Sequence, residues 1–247
     1  MAGAPAALLA ALQGRPIERP LRAPLLAELA AEVEELEVRE FLGDAGKRSR
    51  ILAGLAASMP IDVLVLDSGS GWETEAAGVD LIRDLLTRVR AVVPESVSLA
   101  VTLTGPVLAT ARAVAEAGAG VVIVREDGGA SVDPAAYLAS TAPLWRSLQF
   151  FRSVGVLHVS GPADGWAEVL AAAGPFLPVF DAVASPGVAA AVAAAGRPYG
   201  LSLAAKPRPS PLGPLVPDYC ALLTHDRDLA GQVPVREAAD VVAAMSL

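Results

Sequence analysis

Short apolar runs recur along the chain, and each is followed by a stretch in which apolar residues return every three or four positions. The runs are 61–67, 97–103, 119–125, 154–160, 177–181, 199–203 and 219–224. They are nearly continuous in apolar residues, as strands buried on both faces are. The stretches 79–92, 107–117, 134–152, 165–173, 187–195 and 235–245 carry helical spacing. In the first of these, Leu81, Ile82, Leu85, Leu86 and Val89 fall on one face. Strand and helix in alternation predict parallel strands joined by right-handed crossovers. An eighth strand fits near 22–26, ahead of a helix over 27–37. Eight such strands close an α/β barrel of the (β/α)8 TIM type, as one domain over 1–247. The rival is a doubly wound open sheet, but no Gly-x-Gly-x-x-Gly follows the first strand.

Composition agrees with a single large core. The 247 residues are 53% hydrophobic, with a mean hydropathy of +0.49. Net charge is −8 and no Lys/Arg block stands out. A nucleic-acid partner or an anionic membrane surface would need such a block, so both are set aside. No apolar run reaches the roughly 18 residues of a membrane span. Cys220 is the lone cysteine, which excludes an intramolecular disulfide and fits a cytoplasmic protein. It lies in an apolar run and reads as a small buried hydrophobe. Residues 2–12 are apolar but short and read as a first helix.

The candidate chemistry lies at the strand ends, which form the site in such barrels. Asp67 ends one run and is followed by Ser68, Gly69, Ser70 and Gly71. Glu126 follows the third run, His158 and Ser160 end the fourth, and Asp181 ends the fifth. Lys206 and Arg208 follow the sixth, in a Pro-rich stretch read as a loop on the site face. His225 follows the last. Both histidines of the chain thus fall at strand ends. Each position also has a plainer reading. Asp67 and Asp181 could cap turns or helices, Glu126 could pair with Arg125, and either histidine could be a satisfied structural residue. Trp72, Trp145 and Trp166 are candidates for an exposed interface or lid.

An ordered set of segments resembles the uroporphyrinogen decarboxylase superfamily. It begins with Leu8 to Pro20, then Phe41 to Asp44 and the 61–67 run. Glu73 to Gly78 follows, then Thr104, Gly105 and Pro106 with Leu108 and Ala109. Leu157 to Gly161 is similar to the His-x-Cys-Gly strand of the methyltransferase branch. Leu223 to Leu229 resembles the closing segment. The resemblance implies a barrel with a deep site. In the decarboxylase branch it gives Asp67 the stabilisation of a cationic intermediate and His225 a substrate contact. In the methyltransferase branch it makes His158 the first ligand of a zinc that activates a thiol.

The departures are as informative. The arginine-bearing N-terminal stretch of the decarboxylases is replaced by Pro24 to Glu28. The methyltransferase cysteines are replaced by Ser160 and His225, and a serine hydroxyl is a poor zinc ligand.

These residues lead to an expected catalytic set of Asp67, His225 and His158. Glu126, Lys206 and Arg208 are expected to hold an anionic small-molecule substrate. The leading expectation is a decarboxylase-like lyase without a cofactor, for which Asp67→Asn abolishes turnover at nearly unchanged stability. Methyl transfer is the alternative, as is a non-catalytic binding or partner subunit. His158, Asp181 and His225 form an alternative site for zinc or iron. A homodimer or a partner enzyme is the expected assembly.

Overall fold

The strands follow the alternation closely. In the computed structural model, residues 4–67, 76–130, 132–203, 219–225, 228–230 and 232–245 are described. The strands are β1 Leu21–Ala23, β2 Val63–Val65, β3 Ser98–Thr104, β4 Val121–Asp127, β5 Val154–Ser160, β6 Phe176–Phe180, β7 Tyr199–Leu203 and β8 Cys220–His225. They form one eight-stranded sheet in the order β1-β8-β7-β6-β5-β4-β3-β2, and every pairing is parallel.

The two ends of that order meet in a nearly closed barrel. Asp62 N–H donates to Arg22 O at 3.1 Å, and the Asp62 carboxylate accepts from Arg22 N–H at 2.9 Å. The same carboxylate takes two bonds from Arg19, at 2.7 and 2.8 Å. Closure removes the free sheet edges that an open sheet would expose.

The helices are α1 Ala4–Leu12, α2 Ala27–Val33, α3 Val38–Leu42, α4 Ala45–Ser58, α5 Ala76–Val92, α6 Leu108–Glu116, α7 Pro134–Phe150, α8 Ala167–Ala171, α9 Pro186–Ala194 and α10 Ala238–Ala243. The helix expected over 27–37 ends at Val33, where α2 stops ahead of the left-handed Glu35 (φ 53°), and a separate α3 starts only at Val38. Leu8 of α1 packs inside the barrel with Val63, Val121, Val154 and Leu177. Outside the strands, a second and larger apolar cluster joins them to the helices. Leu64, Leu99, Val122, Leu157 and Phe180 supply its strand side, and Leu52, Leu85, Val114 and Leu144 its helix side.

Trp145 and Trp166 belong to this cluster, at 2% and 3% exposure, so neither is an exposed interface aromatic. Trp72 lies outside the described residues. Cys220 is buried in its strand, as its apolar context suggests, and burial pushes its thiol up to about 12. Among the described residues no helix is long and apolar enough to cross a membrane.

Trp145 stands over β5 because position 155 is glycine. A Cβ there would meet Trp145 Cε3 at 2.7 Å. The ring is held by its Nε1–H donating to Thr141 Oγ1 at 3.1 Å and by its contact with Phe176. Gly155→Ala is therefore expected to destabilise by about 1–3 kcal/mol in urea unfolding. Gly54→Ala, in the interior of α4 with open space around it, should stabilise by about 0.5–1 kcal/mol. Equal midpoints for the two variants would contradict this account of the packing.

Candidate functional site

Cross-strand register decides which side chains enter the barrel. Partners across parallel strands point to the same side, and successive residues alternate. Val63 and Val65 of β2 point inward, and Asp67 follows two residues past the end of the strand. Ala100 carries the inner face of β3 on to Thr102, and Val121 and Ile123 carry that of β4 on to Arg125 and Asp127. Val154 and Val156 do the same for His158 and Ser160 on β5. Leu177 and Val179 lead to Asp181, and Gly200 leads to Ser202.

Alternate strands of such a barrel share a layer. Val65, Ile123 and Val179 make a mostly apolar one, to which β8 contributes Thr224. Above it stand Thr102, His158 and Ser202, and above those Arg125 on β4, with Asp67 and Asp181 just past the ends of β2 and β6. The interior thus changes from apolar to polar within two layers below the mouth.

His225 does not join this set. β8 contains a bulge: Tyr199 pairs with Cys220, but Gly200 pairs with Leu222. The extra residue reverses the alternation of the rest of the strand. Thr224, paired with Ser202 and with Ala23, faces inward. His225, paired with Leu203, is left on the helix-facing side and buried at 1% exposure. The expected grouping of His225 with Asp67 and His158 is corrected accordingly.

Glu126 is likewise on the outer side of β4, where its carboxylate accepts from Tyr137 O–H at 3.0 Å. Burial raises its pKa, and the Tyr137 bond opposes the rise. Its neighbour Arg125 is the β4 cation that faces inward. Lys206, Arg208 and the Ser68–Gly71 loop lie outside the described residues.

The inward groups hold one another. Arg125 Nε–H donates to Ser160 Oγ at 2.6 Å. His158 is 2% exposed, and burial followed by the charge of Arg125 pushes its pKa down to about 3. At neutral pH its imidazole is uncharged. Asp67 is 1% exposed and pairs with Arg48 Nη2 at 3.3 Å. Arg48 also donates to Leu42 O at 2.9 Å and to Leu66 O at 2.6 Å.

Arg48 was missed in the sequence, although it leaves a signal. On α4 it shares a face with Ile51, Leu52 and Leu55, where an apolar residue is expected. The pair argues against the expectation that Asp67→Asn leaves stability nearly unchanged. Breaking a buried ion pair strands the remaining charge, at a cost of about 3–5 kcal/mol.

The carboxylates of the neighbouring loops tie the mouth together. Asp228 accepts from the N–H groups of Glu28 and Leu29, both at 2.9 Å, so the segment after β8 caps α2. Asp164 caps α9 through Gly187 N–H at 2.8 Å. Asp181 caps its own turn through Val183 and Ala184. Glu28, in the first turn of α2, has its pKa raised by burial and then by the charges of Asp228 and Asp67.

The donor set does not fit a zinc or iron ion. Among the described residues no three His, Cys, Asp or Glu side chains come close enough to hold one. His225 faces the helices and Asp181 is engaged with its own turn. Ser160, in place of a thiolate, is bonded to a guanidinium whose charge opposes a second cation beside His158.

Both histidines make the fold acid-sensitive. Burial lowers His225 to about 4 and His158 to about 3, against 6.5 for an exposed imidazole. Below pH 6.5 the unfolded chain binds protons that the folded chain does not, so stability falls as pH falls towards the folded values. At pH 5 each histidine is expected to cost about 2 kcal/mol relative to pH 8. Urea midpoints across that range should fall less steeply in His158→Gln and in His225→Gln. An acid limb unchanged in both would refute the assignment.

The same fold is found among solved structures. A methyltransferase from Methanosarcina mazei superimposes with a TM-score of 0.72 at 15% identity, over 99% of this chain and 98% of that one. A putative lyase/mutase from Burkholderia cenocepacia J2315 gives 0.53 at 18% identity, over 97% of each chain. A putative dehydratase from Mesorhizobium loti gives 0.52 at 13% identity, over 93% of this chain and 59% of that one. No family model matches the chain. No curated protein matches its sequence. At these identities the likeness is one of fold, and the chain takes its place among TIM barrels on that ground.

Proposed function

We propose that this barrel is a lyase that removes a carboxylate from a small, electron-rich cyclic molecule, in the manner of the uroporphyrinogen decarboxylase superfamily. One observation carries the reading: the mouth holds the Arg125 cation on one wall and a group of carboxylates on the other, beside the Asp67–Arg48 pair and with Asp127 at the end of β4. Asp67, Glu28 and Asp228 lie toward β1, β2 and β8, and Arg125 with Ser160 lies on β4 and β5. A substrate that carries a carboxylate at one end and develops positive charge in its ring matches that division. The carboxylate lies toward Arg125, and the ring toward the acidic side.

The net reaction exchanges carbon dioxide for a proton at one carbon. A proton adds to the ring carbon that bears the carboxylate, leaving a delocalised cation. The C–C bond to the carboxylate then breaks, and its electron pair neutralises the cation as carbon dioxide leaves. Glu28, exposed at the rim beside Asp228 and Asp67, is assigned as the proton donor on that placement, where partial desolvation and the two charges raise its pKa. Asp67, oriented by Arg48, offsets the cationic charge. His158 is uncharged at neutral pH and acts as a hydrogen-bonding wall beside Arg125, not as an imidazolium acid.

Methyl transfer through a zinc-bound thiol is disfavoured by the Arg125–Ser160 pair, which sets a fixed cation where a metal ligand is required.

Carbon dioxide release from pyrrole- and indole-carboxylates by the purified protein tests the reading. Asp67→Asn should lower kcat by about a hundredfold or more, and Arg125→Met should act chiefly on KM. Measurements at low temperature keep the destabilised Asp67→Asn variant folded. Full turnover in Asp67→Asn, or no release from any of these acids by the wild type, would refute the proposal.

A further inference from the structure

Two buried hydroxyls in the upper interior have no hydrogen-bond partner among the described residues. They are Thr102 Oγ1 on β3 and Ser202 Oγ on β7. Both residues are almost fully buried, at 2% and 4% exposure. A hydroxyl removed from water without a partner costs free energy, so two in one layer call for an explanation. Their placement is specific. β3 and β7 are four strands apart in the eight-stranded order and therefore stand on opposite walls. The inner face of β3 runs from Ala100 to Thr102, and Ser202 follows the inward Gly200. The layer below holds Val65, Ile123 and Val179, with Thr224 on β8, whose hydroxyl is already committed to Ala23 O at 2.7 Å. The two hydroxyls thus lie one layer beneath Arg125, above the deeper inward hydroxyl of Ser98 on β3.

We infer that this layer is a substrate-binding floor, in which Thr102 and Ser202 donate from opposite walls to the oxygens of a carboxylate that lies beneath Arg125. The inference deepens the proposed function, and rests on it for the class of molecule bound. A carboxylate suits the floor for two reasons. It accepts from both hydroxyls without needing a donor in return, and Arg125 above carries the compensating charge. The carboxylates of the layer above are already committed: Asp67 to Arg48, and Asp181 to its own turn. Thr102 and Ser202 would act as specificity-determining residues, separating acids from their uncharged analogues.

The test uses Thr102→Val and Ser202→Ala with two probes, pyrrole-2-carboxylate and pyrrole-2-carboxamide. Binding is read by calorimetry and stability by thermal melting. The wild type is expected to bind the acid at least about tenfold more tightly than the amide. Each substitution should weaken acid binding by about tenfold and leave amide binding nearly unchanged. In the free protein both variants should melt at or above the wild-type temperature, because each removes an unpaired buried hydroxyl.

A lower melting temperature in both variants would show that the hydroxyls serve the fold, and would overturn the inference. So would wild-type acid affinity in both variants, or failure of the wild type to bind the acid. Acid binding that depends on the two hydroxyls, without carbon dioxide release, would uphold the floor and defeat the lyase reading. Release that is indifferent to both substitutions would do the reverse.

Discussion

Closure of the sheet is the constraint on which everything else depends. Eight short strands, one of them only Leu21–Ala23, cannot leave two bare edges in water. The seam between β1 and β2 is held at Asp62, whose N–H donates to Arg22 O and whose carboxylate takes two bonds from Arg19 and one from the Arg22 backbone. Once the seam closes, each strand has one face toward the axis and one toward the helices. Every later question about the site then reduces to which face a side chain is on.

The interior that results has a gradient. Leu8 of α1 and valines from several strands fill one end with apolar volume. Toward the C-terminal ends of the strands come hydroxyls and an imidazole, and then charges. Polar groups inside a barrel are costly unless paired, and most are paired here: Arg48 with Asp67, Arg125 with Ser160, Asp228 with the start of α2. This pairing gives the mouth a fixed arrangement of charge before any substrate arrives, which is what electrostatic stabilisation of a transition state requires.

Loops after different strands are cross-tied by capping carboxylates. Asp228, after β8, caps the helix that follows β1, and Asp164, after β5, caps the helix that follows β6. Each tie satisfies backbone N–H groups that a helix start leaves without partners. The ties hold the rim of the mouth by a mechanism separate from the core beneath it.

Much of this was legible in the sequence. The apolar runs place seven of the eight strands within about two residues, because strands buried on both faces must be apolar throughout, and the eighth, fitted near 22–26, starts one residue from β1. The strand-end positions of Asp67, His158 and Asp181 come from the same pattern. What the sequence could not decide was the face. A run that is apolar on both sides carries no alternation to read, so Arg125 and Glu126 look equivalent, as do Thr224 and His225. One bulged residue in β8 turned His225 outward, and cross-strand register turned Arg125 inward. The partner of Asp67 was also hidden, since Arg48 lies 19 positions away on a helix and meets it only in the closed barrel. Composition and periodicity thus determined the barrel and the height of each polar group within it. Register and tertiary contact alone decided which groups share the interior, because a shift of one residue moves a side chain to the opposite face of a strand.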